Sequence, residues 1–320
     1  MKFYDVYNGD ADGLCALLQL RLATPRDSTL VSGVKRDIRL LDRVEAQHGD
    51  EIVVLDISLD ANRQALERVL QQGARVSWFD HHYPGEIPTH HRFVSHINTD
   101  PVVCSSLIVD RHLDGRFRNW AIVAAFGDNL DSTARQLAAA AGLNSEETER
   151  LRQLGMCLNY NAYGTTLDDL LFSPVDLFHR LKPFADPREF VRTSDIFESL
   201  QQSMHDDLAR AQAVPVQSIA PGSACAMLPD AGWSRRVVGV YANSLAQRQP
   251  HTAHAIMVER EGGYLVSIRA PAADPMGAST VARAFQSGGG REGAAGIDLL
   301  PSADLERFLA MMRETYSGKA

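Results

Sequence analysis

Four acidic segments carry the chemistry that this sequence can be read for, and each follows an apolar stretch. Asp10 and Asp12 follow Phe3-Tyr4-Asp5-Val6-Tyr7, and Asp56 ends Ile52-Val53-Val54-Leu55. Asp80-His81-His82 follows Val76-Ser77-Trp78-Phe79, and Asp128 ends Ala121-Ile122-Val123-Ala124-Ala125-Phe126-Gly127. Carboxylates and imidazoles converging from the ends of buried segments make a donor set for hard divalent cations. Asp10, Asp12, Asp56 and Asp128, gathered together, would repel strongly if left unneutralised. Two divalent ions would balance them. Such ions, roughly 3.5–4 Å apart, can share a hydroxide that attacks phosphorus and can clamp the phosphoryl oxygens. Mixed carboxylate and imidazole donors favour two Mn²⁺ per chain, with Mg²⁺ as second choice.

Each segment also has a plainer explanation. In Asp10-Ala11-Asp12-Gly13 one Asp can simply cap a helix, with Gly13 permitting a tight turn. Asp56 can be a strand-end turn residue. Asp80-His81-His82 is the stronger signal, because adjacent imidazoles at the end of an apolar strand are uncommon. His90, His91 and His96 read as incidental histidines of a solvated loop. Asp131 is the more natural cap for a helix from Ser132, which leaves Asp128 for another role.

The elements that must position these groups alternate. Residues 3–8, 30–34, 52–57 and 76–79 read as strands. Residues 13–20 read as a buried helix, 38–46 as amphipathic, and 61–72 as a helix capped by Asp60 and stopped by Gly73. This rhythm predicts a doubly wound, mainly parallel sheet in an α/β fold. Ligands of such sheets sit beyond the carboxyl ends of the strands, where Asp10, Asp56 and Asp80 fall. Residues 104–212 are mostly helical in pattern. β-like patterns return at 224–228, 236–241, 255–259 and 263–269. A helix at 279–285, a break at Gly288-Gly289-Gly290 and a helix at 304–315 complete a smaller mixed-sheet α/β domain. The expected division is a catalytic domain over 1–195, a helical linker over 196–214 and a substrate-binding domain over 215–320.

A chain of 320 residues fits about two domains. Its net charge of −8 argues against tracking long nucleic acid, which needs many Lys and Arg contacts. A short phosphorylated substrate in a local basic pocket remains compatible. Cys15, Cys104, Cys157 and Cys225 are scattered without a C-x-x-C pair, as expected of buried thiols in a reducing cytoplasm. The first residues lack a signal-peptide apolar region, and no apolar run has bilayer length. A cytoplasmic location and no membrane partner are expected. A homodimer is left open.

In order and spacing, Asn8-Gly9-Asp10-Ala11-Asp12-Gly13, Val54-Leu55-Asp56, Asp80-His81-His82 and Gly127-Asp128 resemble the motifs of the DHH phosphoesterase family. Val266-Ser267-Ile268-Arg269 and Gly288-Gly289-Gly290-Arg291-Glu292-Gly293-Ala294-Ala295-Gly296 resemble the DHH-associated C-terminal domain. The resemblance implies a bilobal protein with a substrate cleft and two-metal hydrolysis of phosphoester bonds. It implies Asp10 and Asp56 on one metal, and Asp12, Asp56, His81 and Asp128 on the other, with Asp56 bridging. It implies that His82 contacts the scissile phosphate or protonates the leaving group, and that Asp80 orients a histidine.

Two departures stand out. The family's His shortly before the first Asp is absent; Val6 and Asn8 occupy the candidate positions, and Asn8 can offer only an amide oxygen. Arg291 stands where the family commonly has His, and a guanidinium can grip phosphate with a bidentate fork. Gly288, Gly289 and Gly290 can form an anion-binding nest beside Arg291 and Arg269; a flexible helix-to-strand loop explains them as well. Asn159-Tyr160-Asn161-Ala162-Tyr163-Gly164 can stack a base or be a capped helix end with packed tyrosines. The expected activity is metal-dependent hydrolysis of short oligonucleotides, dinucleotides or small phosphorylated nucleotides. The alternatives are a single-strand-specific exonuclease and a catalytically weakened nucleotide-binding regulator.

Overall fold

Short β-branched and aromatic runs separated by polar helices produce a parallel sheet in the N-terminal half. In this computed structural model, which describes residues 1–317, the chain begins with β1 (Phe3–Tyr7), α1 (Ala11–Ala23), β2 (Thr29–Val31), β3 (Glu51–Leu55), α2 (Arg63–Gln71), β4 (Arg75–Asp80) and β5 (Phe93–Ile97). The strands pair in parallel in the order β2-β1-β3-β4-β5. Alternate residues face opposite sides. Tyr4, Val6, Ile52, Val54, Val76 and Trp78 form one core with Leu66, Val69 and Leu70 of α2. After β1 the chain turns one way to β2, then crosses to β3 on the other side of β1. The direction reverses between β1 and β3, which opens a crevice at their carboxyl ends.

The helical region follows as α3 (Ser105–His112), α4 (Arg118–Gly127), α5 (Asp131–Ala140), α6 (Ser145–Ala162), α7 (Pro174–Leu181), α8 (Pro187–Thr193) and α9 (Asp195–Gln212). α1 is buried along most of its length and packs against α3, α4 and α6. The chain divides into two compact units, Met1–Gln202 and the residues from Ser203 onward, with the boundary inside α9.

The second unit contains β6 (Gln217–Ala220), β7 (Ser223–Leu228), α10 (Gly232–Arg248), β8 (Ala253–Arg260), β9 (Gly263–Arg269), α11 (Ala278–Arg283), β10 (Gly288–Gly290), β11 (Ala294–Pro301) and α12 (Leu305–Tyr316). Its sheet runs β10-β11-β9-β8-β7-β6 and is mixed, because β7 and β8 are parallel and the other pairs antiparallel. Ala255, Met257, Val266 and Ile268 pack with Val281, Phe308 and Met312 in its core. The α/β class and the separate parallel and mixed sheets are those expected.

Several local expectations are corrected. Residues 90–97 are not simply a loop: Phe93–Ile97 is the edge strand β5, and His96 stacks on Phe79 with ring centroids 4.4 Å apart. Residues 38–46 hold a single 3₁₀ turn, Leu40–Arg43. Asp60 begins a 3₁₀ turn rather than capping α2 with its side chain. The run 236–241 is helical, inside α10, despite its valines. Val237, Val238, Tyr241, Ala242 and Leu245 recur at helical spacing and are buried, and α10 packs on β8 and β9. Burial of that face outweighs β propensity. Gly288–Gly290 forms an edge strand paired with β11, not a loop. A Cβ on Gly288 would lie 1.7 Å from the Ala282 carbonyl oxygen, so close backbone approach explains that glycine.

Candidate metal centre

Asp10 ends the turn after β1 and caps α1. Its Oδ1 accepts the N–H groups of Asp12 (3.0 Å) and Gly13 (3.1 Å). Gly13 lies inside α1, and its role is space rather than a turn: a Cβ there would sit 2.3 Å from the Asn8 carbonyl oxygen. Asp12, in the first turn of α1, reaches the N-terminus of α3. Its two oxygens accept the N–H groups of Ser105 and Ser106, both at 2.7 Å. These are donors that a helix start leaves unpaired.

Asp56 follows β3 and is 2% exposed. Its backbone has φ 58°, left-handed for a residue with a Cβ. Such a conformation costs of order 1–3 kcal/mol and persists where surrounding structure enforces it. Here the Asp56 N–H donates to the Phe79 carbonyl at 3.0 Å, and Ser105 Oγ donates to Asp56 Oδ1 at 3.0 Å. Asp128 is the C-cap of α4. It comes close to α1 because Gly127 carries no side chain: a Cβ there would lie 2.4 Å from the Ala11 Cβ and 3.0 Å from the Gly155 carbonyl oxygen. Asp131 is the first residue of α5 and makes no side-chain cap, contrary to its expected role.

His81 supplies the clearest chemical evidence. Its Nδ1 is 3.0 Å from the Val103 carbonyl oxygen. A carbonyl only accepts, so Nδ1 carries the proton and Nε2 of the neutral ring carries the lone pair. That lone pair faces two carboxylates, Asp56 Oδ1 at 3.5 Å and Asp128 Oδ2 at 3.8 Å. Acceptor facing acceptor is unfavourable unless a proton or a metal cation lies among them. A backbone carbonyl fixing the far nitrogen is also the usual support of a metal-ligating histidine. Asp12, His81 and Asp128 each offer an atom within 4.8 Å of the others, and so do Asp56, His81 and His82. These donors fit a hard divalent ion.

The electrostatics agree. Burial raises the Asp56 carboxyl well above the usual carboxylate range, and the charges of Asp12, Asp10, Asp128 and Asp80 add to it. Burial also raises Asp128; Lys35 opposes that, Asp12 and Asp10 reinforce it, and the result is upward. His82 lies beside this group. Its Nδ1 donates to Asp80 Oδ1 at 2.7 Å, while its side chain is 47% exposed. Burial alone would lower the His82 pKa, but the hydrogen bond and charge of Asp80 outweigh it, so the pKa is raised. Asp80 is fully buried, and its Oδ2 has no hydrogen-bond partner among the described residues.

Asp10 is placed differently from the other carboxylates. Its Oδ2 pairs with the Lys35 ammonium, which also donates to Asn159 Oδ1 at 3.0 Å. Burial would raise the Asp10 pKa, yet the Lys35 charge and hydrogen bond carry it below the usual value. Asn8 does not present its amide oxygen to a metal. Oδ1 accepts the Asp10 N–H at 3.2 Å, and Nδ2 donates to the Lys35 carbonyl at 3.2 Å.

Lys35 and Ser105 are neighbours of this group that sequence reasoning missed. The serines at the start of α3 carried a faint signal, as small polar residues opening an apolar helix. Asn159 belongs to the polar-aromatic cluster noted above, and its Oδ1 accepts from the Lys35 ammonium. Its neighbours Tyr160 and Asn161 are buried, and Asn161 ties down the Leu171 and Phe172 backbone.

The expected substrate-binding residues lie in the second unit. Arg269 donates to Asn243 Oδ1 at 2.6 Å and to Ser267 Oγ at 3.1 Å. Arg291 is exposed in the turn between β10 and β11.

Residues 218–318 match the DHHA1 domain model. No curated protein sequence matches the chain. Among solved structures, the manganese-bound exonuclease RecJ superposes with TM-score 0.64 at 16% identity, over 98% of this chain and 89% of that one. A pGpG-specific phosphodiesterase, PggH from Vibrio cholerae, superposes with TM-score 0.56 at 13% identity, over 98% and 100%. An exopolyphosphatase-related protein from Bacteroides fragilis gives TM-score 0.52 at 15% identity, over 98% and 91%. The chain therefore has a RecJ-like fold, with a DHHA1 domain over residues 218–318. Among the described residues no helix is long and apolar enough to cross a membrane.

Proposed function

We propose that this chain, with its RecJ-like fold and DHHA1 domain, is a metal-dependent phosphoesterase acting on short oligonucleotides or small phosphorylated nucleotides. The supporting observation is the His81 lone pair held toward Asp56 and Asp128 at the β1/β3 switch point. Asp12, Asp56, His81 and Asp128 would hold a divalent ion, Mn²⁺ in preference to Mg²⁺. When bound, that ion supplies an activated water and stabilises charge on the transferring phosphoryl group.

The chain's own residues supply the rest. Asp80 holds the His82 ring by Nδ1 and favours its protonated form, so Nε2 can give a proton to the departing oxygen. Asp12 stays fixed because two backbone donors of α3 hold both of its oxygens. In the DHHA1 domain, Arg291 would grip a phosphate through its planar fork, and Arg269 would add charge. The edge strand Gly288–Gly290 would offer backbone donors on its unpaired side. A short substrate suits the net charge of −8.

The test is a substrate screen of EDTA-treated protein with Mn²⁺ restored. The panel comprises short RNA, linear and cyclic dinucleotides and nucleotide bisphosphates, run beside Asp56→Ala. Turnover of one class, absent with EDTA and nearly abolished in Asp56→Ala, is expected. Nucleotide binding without turnover under any metal would favour the regulatory alternative, and full activity in Asp56→Ala would move the chemistry elsewhere.

A further inference from the structure

The four carboxylates of the candidate centre do not stand alone, because one cation is already built among them. Lys35 pairs with Asp10 Oδ2 and donates to Asn159 Oδ1 at 3.0 Å, and its ammonium is 5.6 Å from the Tyr163 ring centroid. It is anchored at both ends. Its N–H donates to the Ala162 carbonyl at 2.9 Å, and its carbonyl accepts from Asn8 Nδ2. Asn8 thus holds the segment that delivers the ammonium, and its own amide oxygen is taken by the Asp10 N–H. Asp12 is hydrogen-bonded at both oxygens by neutral backbone donors, whereas Asp10 carries backbone donors on one oxygen and the Lys35 charge on the other. Among the described residues, neither three-residue group able to hold an ion includes Asp10.

Residue choice supports the assignment. Of the 32 basic residues, 28 are arginines, yet the cation that pairs with Asp10 is a lysine. An ammonium is a compact point charge, and in that respect it resembles a metal ion more than a guanidinium does. A divalent ion placed on Asp10 would have to expel Lys35 or sit against its positive charge. The residues therefore fit one ion and not two.

We propose that Lys35 serves as a built-in cation in place of a metal at Asp10, so that the chain binds a single divalent ion at Asp12, Asp56, His81 and Asp128. This rests on the metal-dependent reading above, and it replaces the expectation of two Mn²⁺ per chain. Lys35 is a positioning residue here: it neutralises Asp10 and keeps a metal away from it. The side chain remains 24% exposed, so exchange with solvent ions does not require unfolding.

The experiment measures Mn²⁺ stoichiometry by equilibrium dialysis and the spin state of bound Mn²⁺ by EPR, on the full chain. The wild type should bind one Mn²⁺ per chain with an uncoupled, mononuclear signal. Lys35→Met, which keeps the alkyl stem and removes the charge, should gain a second ion and show a spin-coupled pair. Two coupled ions in the wild type would overturn the Lys35 assignment while leaving metal-dependent hydrolysis standing. So would one ion in both proteins. No bound Mn²⁺ in the wild type would overturn the metal reading itself. Two ions in the wild type overturn the assignment whether or not Lys35→Met folds; circular dichroism shows whether it does, and Lys35→Gln, which should also gain the second ion, replaces it if it does not.

Discussion

Replacing Asp128 by Asn should stabilise the metal-free protein and weaken its response to Mn²⁺. Asp12 and Asp128 present oxygens within 4.8 Å of each other. Two unit charges at that spacing, in an effective dielectric of about 20, repel by about 3.5 kcal/mol. Lys35 attracts Asp128 more than Asp12 repels it, so the energy to be recovered comes first from the cost of burying the Asp128 charge, with Asp12 and Asp10 adding to it, and after the 21% exposure of the side chain it is about 1–3 kcal/mol. Asp128 also caps the C-terminal end of α4, where the helix dipole disfavours an anion. Asn keeps the shape and loses the charge. The gain should appear as a rise in melting temperature of about 2–12 °C in EDTA, at about 2–4 °C per kcal/mol.

The pH dependence follows from the raised Asp128 carboxyl. The folded chain binds this proton more tightly than the unfolded chain does. The linked stability is therefore full below the unfolded carboxylate pKa of about 3.9 and is lost as pH rises through the folded value. The advantage of Asp128→Asn should be greatest at neutral pH and vanish below about pH 4. With Mn²⁺ present the order should reverse, because the wild type gains a ligand's worth of binding that the variant lacks. Melting curves in EDTA and in Mn²⁺, at neutral and acid pH, read all of this. A lower melting temperature for metal-free Asp128→Asn, or an unchanged Mn²⁺-induced rise, would refute a carboxylate cluster built around a cation.

Gly127→Val should destabilise by about 1–3 kcal/mol through overpacking of α4 on α1, since even a Cβ would meet Ala11 at 2.4 Å; thermal melting checks the cost, and a Mn²⁺ titration should show weaker binding as Asp12 and Asp128 are pushed apart. Arg21→Leu should cost about 3–5 kcal/mol by leaving the buried Asp5 carboxylate without its guanidinium, whose bonds are 2.8 and 3.0 Å; urea unfolding measures it, and activity per folded molecule should stay at the wild-type level. His82→Gln should lower kcat by about 10²–10⁴. Asp80→Asn removes the charge that raises the His82 pKa, so the alkaline fall in kcat should move to lower pH, and a pH–rate profile that stays in place would exclude His82 as the proton donor.

Much of the first unit was legible because its information is local. Apolar runs ending in Asp10, Asp56 and Asp80 marked strand ends, and a parallel sheet puts consecutive strand ends on one edge. β5 is hard to read locally because Ser95 and His96 interrupt its apolar residues and it lies at the sheet edge, where Val94 is left exposed. The run Val237-Val238-Gly239-Val240 was misread because β propensity is a local measure, whereas α10 is held by its packing on β8 and β9.

The sequence alone determined the donor types, their order and the edge of the sheet to which they belong, since strand periodicity and chain direction are properties of neighbouring residues. Only the tertiary structure decided which donors meet. α3 and α4 bring Ser105 and Asp128 to Asp12 and Asp56 across large separations in the chain, and Gly127 sets the depth of that approach. The same long-range packing delivers Lys35 to Asp10 from 25 residues away. No local pattern encodes that pairing, because it depends on where Asn8 and the end of α6 hold the Lys35 backbone.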